Sequence, residues 1–155
     1  LSHGFLPKLA LDFAGLVEKQ AAPVYQTLGI EFPVIVSSTI YTIGHTPDRS
    51  LVEIAQTLNL SHQLVSQRIR VLINLGFIEG GQDERDKRRT LYRLTPSGQE
   101  QFERLEVYLS KANDVFESMT EELGADLRGI LEAAIDSFSN RSLLARFKDK
   151  GAQDE

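Results

Sequence analysis

A short stretch near the middle of the chain concentrates amide, hydroxyl and guanidinium side chains at helical spacing. Gln63, Gln67 and Arg70 recur every three or four residues, so they share one face of a helix that begins after Ser61. Gln pairs well with adenine and Arg with guanine, while Ser bonds bases or phosphates. The outward residues of this segment are therefore predicted to contact DNA: Ser61, His62, Gln63, Ser66, Gln67 and Arg70.

A second cluster places four cations within five residues: Arg85, Lys87, Arg88 and Arg89. Guanidinium groups suit the narrow minor groove, where the negative potential is enhanced. Acidic residues such as Glu84 lie among these cations and reduce the charge that is free to face phosphate. The segment Ser61–Arg93 still holds seven Lys and Arg against four Asp and Glu, a net charge of +3 on a chain that totals −5. This local excess is more informative about DNA than the acidic total.

The composition argues against several other kinds of function. The chain has 155 residues, of which 41% are hydrophobic and 25% charged, as in one ordinary globular domain. The lack of Cys excludes disulfides, thiolate metal sites and cysteine redox switches, and three dispersed His make no metal-binding pattern. No Gly-x-Ser-x-Gly or paired-carboxylate pattern indicates catalysis. We therefore expect no catalytic residue, no metal ion, no cofactor and no enzymatic activity.

The same features predict where the protein resides. No apolar run approaches the roughly 18 residues that cross a membrane, and no signal-peptide pattern is present. With no Cys, the cytoplasm is the expected compartment, and no membrane partner is expected. Because the sequence begins with Leu1 and not with methionine, its natural start is expected upstream.

Helical periodicity dominates the chain, and the first elements are divided by Pro and Gly. Pro23 is expected to kink or split the first helix near Ala22, because proline lacks an N–H and clashes with the preceding turn. Gly29 should end that helix. A shorter helix is expected after Pro33, ending at Gly44.

The central elements form a helix-turn-helix followed by a hairpin. Ser50 and Glu53 have the spacing of a capping box that starts one helix, and Ser61 caps the next. The alternating stretch Thr90–Leu94 predicts one of two strands around the charged tip, with Gly80–Gly81 as a strand turn rather than a phosphate-binding loop. Long helices are expected from Thr95–Pro96 to Gly124 and again after it.

In this order the elements make a winged helix-turn-helix, and the sequence resembles the MarR family of bacterial transcription regulators. The resemblance lies in Ser50–Leu60, Ser61–Ile78 and Asp83–Gly98. The wing pattern of that family, Asp-x-Arg-Asp-x-Arg followed by Leu-Thr-x-x-Gly, is matched by Asp83, Arg85, Asp86, Arg88, Leu94, Thr95 and Gly98. The resemblance implies a mainly α fold with a small β-wing, in which long N- and C-terminal dimerisation helices flank a winged helix-turn-helix.

The resemblance also implies roles for the wing residues. Asp83 would hold Arg85 for entry into the minor groove, and Asp86 with Arg88 would brace the hairpin. The predicted DNA contacts of the wing are Asp83, Arg85, Lys87, Arg88 and Arg89. Glu79 departs from the family, which often has a basic residue there, so phosphate anchoring at the base of the wing is in question.

The domain organisation follows from burial. One MarR-like domain over residues 1–155 is expected, with a winged core at 32–97, helical arms at 1–31 and 98–147, and a polar tail at 148–155. The arms carry more apolar surface than a small winged domain covers, which predicts a homodimer. The expected interface residues are Leu9, Phe13, Leu16, Val17, Leu127, Ile130, Leu131, Ile135 and Phe138. Twofold symmetry suits a pseudo-palindromic operator.

These observations predict a sequence-specific regulator that binds double-stranded DNA, acting as a dimeric repressor that a small-molecule ligand releases. The resemblance implies a ligand between the arms and the DNA-binding domain, where aromatic and polar candidates are Phe13, Tyr25, Tyr41 and His45. Two alternatives stay open. The chain could be the regulatory fragment of a MarR–acetyltransferase fusion, a branch that Ser50–Gln67 and Leu123–Arg146 resemble, or a winged-helix module that binds protein and not DNA.

Overall fold

The structure, a computed structural model, describes residues 3–151. Seven α-helices lie in that part of the chain: α1 Leu6–Leu28, α2 Ser37–His45, α3 Leu51–Leu58, α4 His62–Asn74, α5 Pro96–Leu123, α6 Leu127–Asn140 and α7 Leu143–Gly151. Its three strands are β1 Arg49–Ser50, β2 Ile78–Gln82 and β3 Thr90–Leu94. Single 3-10 turns cover His3–Phe5 and Val34–Val36. The predicted fold class, mainly α with a small β-wing, is confirmed.

Two compact units divide the chain, one ending at Ser110 and the other beginning at Lys111. The boundary falls inside α5, so its first half belongs to the winged-helix unit. α1 belongs there as well, because Ala21 and Tyr25 are buried in the core of that unit. The arms predicted at residues 1–31 and 98–147 therefore share residues with this unit, and their role in dimerisation stays a prediction.

The helix-turn-helix forms as the capping residues predict. Ser50 caps α3, with the reciprocal bonds of a capping box to Glu53. Asn59, in the left-handed conformation, ends α3 and turns the chain. Ser61 then caps α4 by accepting a hydrogen bond from the Leu64 N–H at 3.2 Å. These bonds satisfy the N–H groups of Ser50, Glu53 and Leu64, so local sequence marks where the two helices start.

The sheet contains one strand that the sequence did not reveal. β1 pairs antiparallel with β3, and β3 pairs antiparallel with β2, giving the order β1-β3-β2. Two residues are too few to show strand periodicity in a sequence. The expectation of a turn at Gly80–Gly81 was wrong, because both glycines lie within β2, opposite Tyr92 and Leu91.

The core of the winged-helix unit is aliphatic at its centre and aromatic at one side. Ile40, Ile43 and Ile54 are fully buried, together with Val65 and Leu72 of α4. The aromatic side consists of edge-to-face pairs that link four rings: Tyr25, Phe32, Phe77 and Tyr108. This packing buries one face of α4 and leaves its opposite face in solvent.

Two boundaries in the first elements differ from expectation. Pro23 does not split α1, which continues unbroken to Leu28. Tertiary packing of the following turn, where Tyr25 is buried, outweighs the local cost of proline. α2 continues through Gly44 to His45, and a side chain at position 44 would overlap the ring of Phe102. Gly44 therefore permits close packing and does not end the helix.

The second unit contains the end of α5, α6 and α7. Gly124 ends α5 in the left-handed conformation, as predicted, and Asp126 caps α6. The Arg146 guanidinium of α7 donates to the Ser137 carbonyl at 2.7 Å and lies over the Phe138 ring at 4.8 Å. α7 was not predicted, and it makes residues 148–151 of the expected polar tail helical. Residues 152–155 lie outside the described part.

Candidate nucleic-acid interface

The outer face of α4 presents the polar side chains that the sequence predicted. His62, Gln63, Gln67 and Arg70 are exposed, and Ser66 is half-buried. The opposite face holds Val65, Ile69 and Leu72 in the core. At 100° per residue, Gln63, Gln67 and Arg70 fall within a narrow wedge of the helix surface. Such a row of amide and guanidinium groups can read the edges of bases in a major groove.

Arg68, on the flank of α4, was not among the predicted contacts. Its Nη1 donates to Ser38 Oγ of α2 at 3.1 Å, and its Nε is buried without a hydrogen-bond partner. The side chain therefore ties α4 to the start of α2. A long-range bond of this kind leaves no signal in the sequence.

The loop that joins β2 and β3, here called the tip (residues 83–89), is organised by its own carboxylates. Asp83 Oδ1 accepts from the Arg85 backbone N–H at 2.8 Å, and Asp86 Oδ1 accepts from the Arg88 N–H at 3.0 Å. Asp86 also accepts from Arg88 Nε at 3.2 Å, and these hydrogen bonds lower the pKa of the Asp86 carboxyl. The expected Asp86–Arg88 brace is present, whereas Asp83 holds the backbone of Arg85 and not its guanidinium.

Arg89 joins the tip to the helix-turn-helix. Its Nη2 donates to Glu53 Oε2 at 2.8 Å and to Ser50 Oγ at 3.3 Å, and its Nη1 lies 3.8 Å from Asp83 Oδ2. The sequence placed Arg89 among the DNA contacts, but here its guanidinium faces two carboxylates. The side chains that line a cleft of about 430 Å³ beside this junction include Val52, Arg88, Thr90 and Tyr92.

The carboxylate of Glu53 is the electrostatic centre of this junction. Glu53 Oε2 accepts from the Ser50 N–H at 2.8 Å and from the Ser50 hydroxyl at 2.7 Å, in addition to Arg89. The two bonds from Ser50, with the charge of Arg89 as a smaller cause, hold the pKa of the Glu53 carboxyl at about 2. Glu53 is therefore ionised at neutral pH.

The remaining cations fall into paired and accessible groups. Arg93 Nε donates to Glu79 Oε1 at 2.8 Å between β3 and β2. Glu79, which stands where the resemblance leads one to expect a basic residue, therefore neutralises a cation at the base of the wing. Within the described residues, no carboxylate lies within ion-pairing distance of Arg70, Arg85 or Lys87. These three side chains are exposed and available to phosphate or a groove.

The end of the wing is anchored to the turn that follows α4. Thr95 Oγ1 donates to the Gly76 carbonyl at 2.6 Å and accepts from the Gly98 N–H at 3.0 Å. Gly98 is buried, and a side chain there would overlap the carbonyl of Phe77. The Leu-Thr-x-x-Gly part of the wing pattern thus has a packing reason: it brings α5 against the backbone between α4 and β2.

The four predicted ligand-binding residues lie in different surroundings. Tyr25 is buried, its hydroxyl is 2.7 Å from Ser37 Oγ, and burial raises the pKa of its phenol. Its side chain belongs to the core and is closed to a ligand in this structure, so this part of the prediction is not supported. Phe13 is partly exposed on α1, about 18 Å before Tyr25 along the helix.

Tyr41 and His45 are the two candidates that lie together. Their ring centroids are 4.3 Å apart, and the His45 ring packs edge-on against Phe102 at 5.2 Å. His45 Nε2 is 3.0 Å from Glu106 Oε1. This exposed pair could stack on an aromatic ligand.

Two kinds of site are absent from residues 3–151. None of the helices there combines the length and apolar character needed to cross a membrane. In the same residues, no group of three or more His, Cys, Asp or Glu side chains is arranged to hold a metal ion.

Comparison with known proteins agrees with this geometry. Residues 29–89 match a model of the MarR family. The resemblance to the MarR family is confirmed. The match spans the turn after α1, the helix-turn-helix and the wing as far as Arg89. No curated protein matches the chain.

Solved structures of MarR-type proteins extend the likeness to most of the chain. A MarR protein from Peptoclostridium difficile has a TM-score of 0.69 at 19% identity, covering 96% of this chain and 93% of that one. The PcaV transcriptional regulator from Streptomyces coelicolor, in complex with its natural ligand, has a TM-score of 0.64 at 18% identity and coverages of 92% and 97%. The transcriptional repressor CouR, bound to a 23-mer DNA duplex, has a TM-score of 0.65 at 22% identity and coverages of 90% and 98%. The chain therefore has the fold of MarR-type transcription regulators.

Proposed function

We propose that this protein is a transcription regulator that binds double-stranded DNA in a sequence-specific manner. One observation carries the proposal: α4 exposes a row of polar side chains, Gln63, Gln67 and Arg70. The opposite face of α4 is buried in the core. In this proposal α4 enters the major groove, while the wing brings Arg85 to the neighbouring minor groove. The Arg85 guanidinium makes no ion pair within the described residues.

The decisive test is selection of binding sites from genomic DNA by the purified protein, followed by fluorescence anisotropy with the selected duplex. We expect a pseudo-palindromic site and an affinity at least about a thousandfold above that for unrelated DNA at physiological salt. Gln67→Ala should relax base preference at one position of each half-site, whereas Asn74→Ala, at the far end of α4, should not. Equal affinity for all duplexes would contradict the proposal.

We further propose that the DNA-binding form is a homodimer. The apolar side chains of α1 and α6 that the sequence assigned to an interface are largely in solvent in the single chain; those at least one-third exposed are Leu9, Phe13, Leu16, Ile130, Leu131, Ile135 and Phe138. A soluble domain rarely leaves so many large apolar groups unpartnered. Two copies would place two α4 helices on successive turns of one duplex.

The proposed mode of regulation is repression relieved by a small molecule. The support comes from proteins with the same fold, since CouR is a repressor with DNA and PcaV holds its natural ligand. A ligand releases DNA only if it binds one conformation of the dimer more tightly than the other. The preferred conformation must be the one in which the spacing of the two α4 helices does not fit DNA. Tyr41 and His45 are our candidates for ligand contacts, because they are accessible and adjacent. Tyr41→Ala should weaken release by the effector and leave DNA affinity unchanged.

A further inference from the structure

We propose that Glu53 and Arg89 form a latch that holds the wing in position for DNA, so that Arg89 is a positioning residue and not a groove contact. The latch, here the four residues Ser50, Glu53, Asp83 and Arg89, joins the start of α3 to both ends of the tip. The effect of the latch on DNA binding rests on the proposed function. The latch itself is present in the protein without DNA.

The guanidinium of Arg89 is occupied on two sides. Nη2 donates to Glu53 Oε2 at 2.8 Å and Nη1 faces Asp83 Oδ2 at 3.8 Å. The planar guanidinium suits carboxylates, and hydrogen bonds between charged groups are stronger than neutral ones. A DNA phosphate that binds Nη2 of Arg89 would compete with Glu53, whereas Arg85 and Lys87 have no ion pair with a carboxylate in the described residues.

The tip has few other connections to the remainder of the unit. Asp83 and Asp86 bond the backbone of Arg85 and Arg88, and Asp83 N–H donates to the Arg89 carbonyl at 3.0 Å. All of these bonds stay inside the tip. In the described part of the chain, Arg89 is the tip residue whose hydrogen bonds and ion pairs reach α3. Without it, the tip would lose its bonds to α3, and the backbone hydrogen bonds of Asp83 and Arg89 that close the tip would open more often.

The latch is more than one exposed ion pair, which would contribute little. The Asp83 side chain is only 13% exposed, and Glu53 Oε2 accepts three hydrogen bonds from Ser50 and Arg89. α3 is joined to α4 by the short turn at Asn59, so a wing held to α3 is also held relative to α4. The latch therefore sets the distance between the two groups proposed to enter adjacent grooves.

The experiment compares Glu53→Gln and Arg89→Gln with Arg88→Gln as a matched control, since the Arg88 side chain is 91% exposed. Glutamine at position 53 preserves the capping box but removes the charge that holds Arg89. Affinity is measured by fluorescence anisotropy against salt, on the selected operator and on an unrelated duplex. Hydrogen exchange of the Asp83 and Arg89 amides is followed in the same proteins without DNA.

We expect both latch variants to lose about tenfold in operator affinity while the salt slope stays unchanged, because no phosphate contact is lost. Affinity of Glu53→Gln for unrelated DNA should not fall, since that variant removes a negative charge. The double variant should lose no more than either single one. Arg88→Gln removes an exposed cation of the tip and leaves the latch intact, so it should instead lower the slope by about 0.9. Exchange of the two amides should accelerate in both latch variants.

The latch would be refuted if Arg89→Gln lowers the salt slope while Glu53→Gln leaves operator affinity intact, because Arg89 would then bind phosphate directly. Unchanged amide exchange in both variants would refute it as well. If the wild-type chain binds no DNA, the proposed function fails, and the exchange measurement still decides the latch.

Discussion

Gly98 illustrates how one residue can be required by packing in the middle of a recognition motif. A side chain there would overlap the carbonyl oxygen of Phe77, and backbone cannot yield as a flexible side chain can. We predict that Gly98→Ala lowers the free energy of unfolding by about 1–3 kcal/mol, as overpacking does. Urea denaturation measures this change. Gly81→Ala is the control, because open space surrounds that position, and equal losses in the two variants would contradict the packing argument.

Glu53 predicts a dependence of stability on pH. Its pKa is about 2 in the folded protein against 4.5 for an ordinary Glu, so the folded state binds the proton more weakly than the unfolded state does. The stabilisation is complete above about pH 4.5 and is lost as the pH falls toward 2. Glu53→Gln should therefore differ most from wild type at pH 6 and least near pH 2. Urea denaturation across this range tests it, and parallel profiles for the two proteins would contradict the assignment.

At the scale of elements, the wing acts as a braced cationic loop and not as a uniform basic patch. Arg93 is paired with Glu79 and Arg89 with Glu53, so the count of cations in the sequence overstates the number that are unpaired in the described residues. Arg85 and Lys87 are left accessible within the described residues. The wing therefore offers a few cations at defined positions and not an evenly charged surface.

Arg85→Ala tests that view of the wing. We predict weaker operator binding and a salt slope reduced by about 0.9, because one phosphate or groove contact and its released counterion are lost. Salt titration by gel shift or anisotropy measures both quantities. Lys111→Ala removes an equal charge outside the wing and should leave the slope unchanged. An unaltered affinity and slope in Arg85→Ala would count against the proposed role of the tip.

At the scale of the whole molecule, the exposed apolar side chains of α1 and α6 are the feature that the single chain leaves unexplained. Ile135 is 63% exposed on α6. We predict that wild-type protein is dimeric by light scattering at micromolar concentration and that Ile135→Asp is monomeric, because the new charge would be buried without a partner. The neighbouring Asp136→Asn should stay dimeric.

The same pair of variants connects assembly with DNA binding. A monomer engages one half-site, so Ile135→Asp should lose the operator affinity that comes from two linked reading helices. Asp136→Asn should bind as the wild type does. A wild-type protein that stays monomeric at high concentration while binding a two-part operator tightly would contradict the dimer.

The sequence by itself determined the features that depend on neighbouring residues. The capping box at Ser50, the cap at Ser61 and the helix start at Thr95–Pro96 appear as predicted, because each involves side chains and backbone only a few residues apart. The outward face of α4 followed from helical periodicity in the same way. These local features were enough to order the elements into a winged helix.

Only the tertiary structure decided the features that join distant segments. The bond from Arg89 to Glu53 spans 36 residues, and our proposal that Arg89 positions the wing rests on it. The burial of Tyr25 against Tyr108 places one ligand candidate in the core, and α1 continues past Pro23. Spacing along a chain gives no account of which distant groups meet, because that depends on how all the elements share one core.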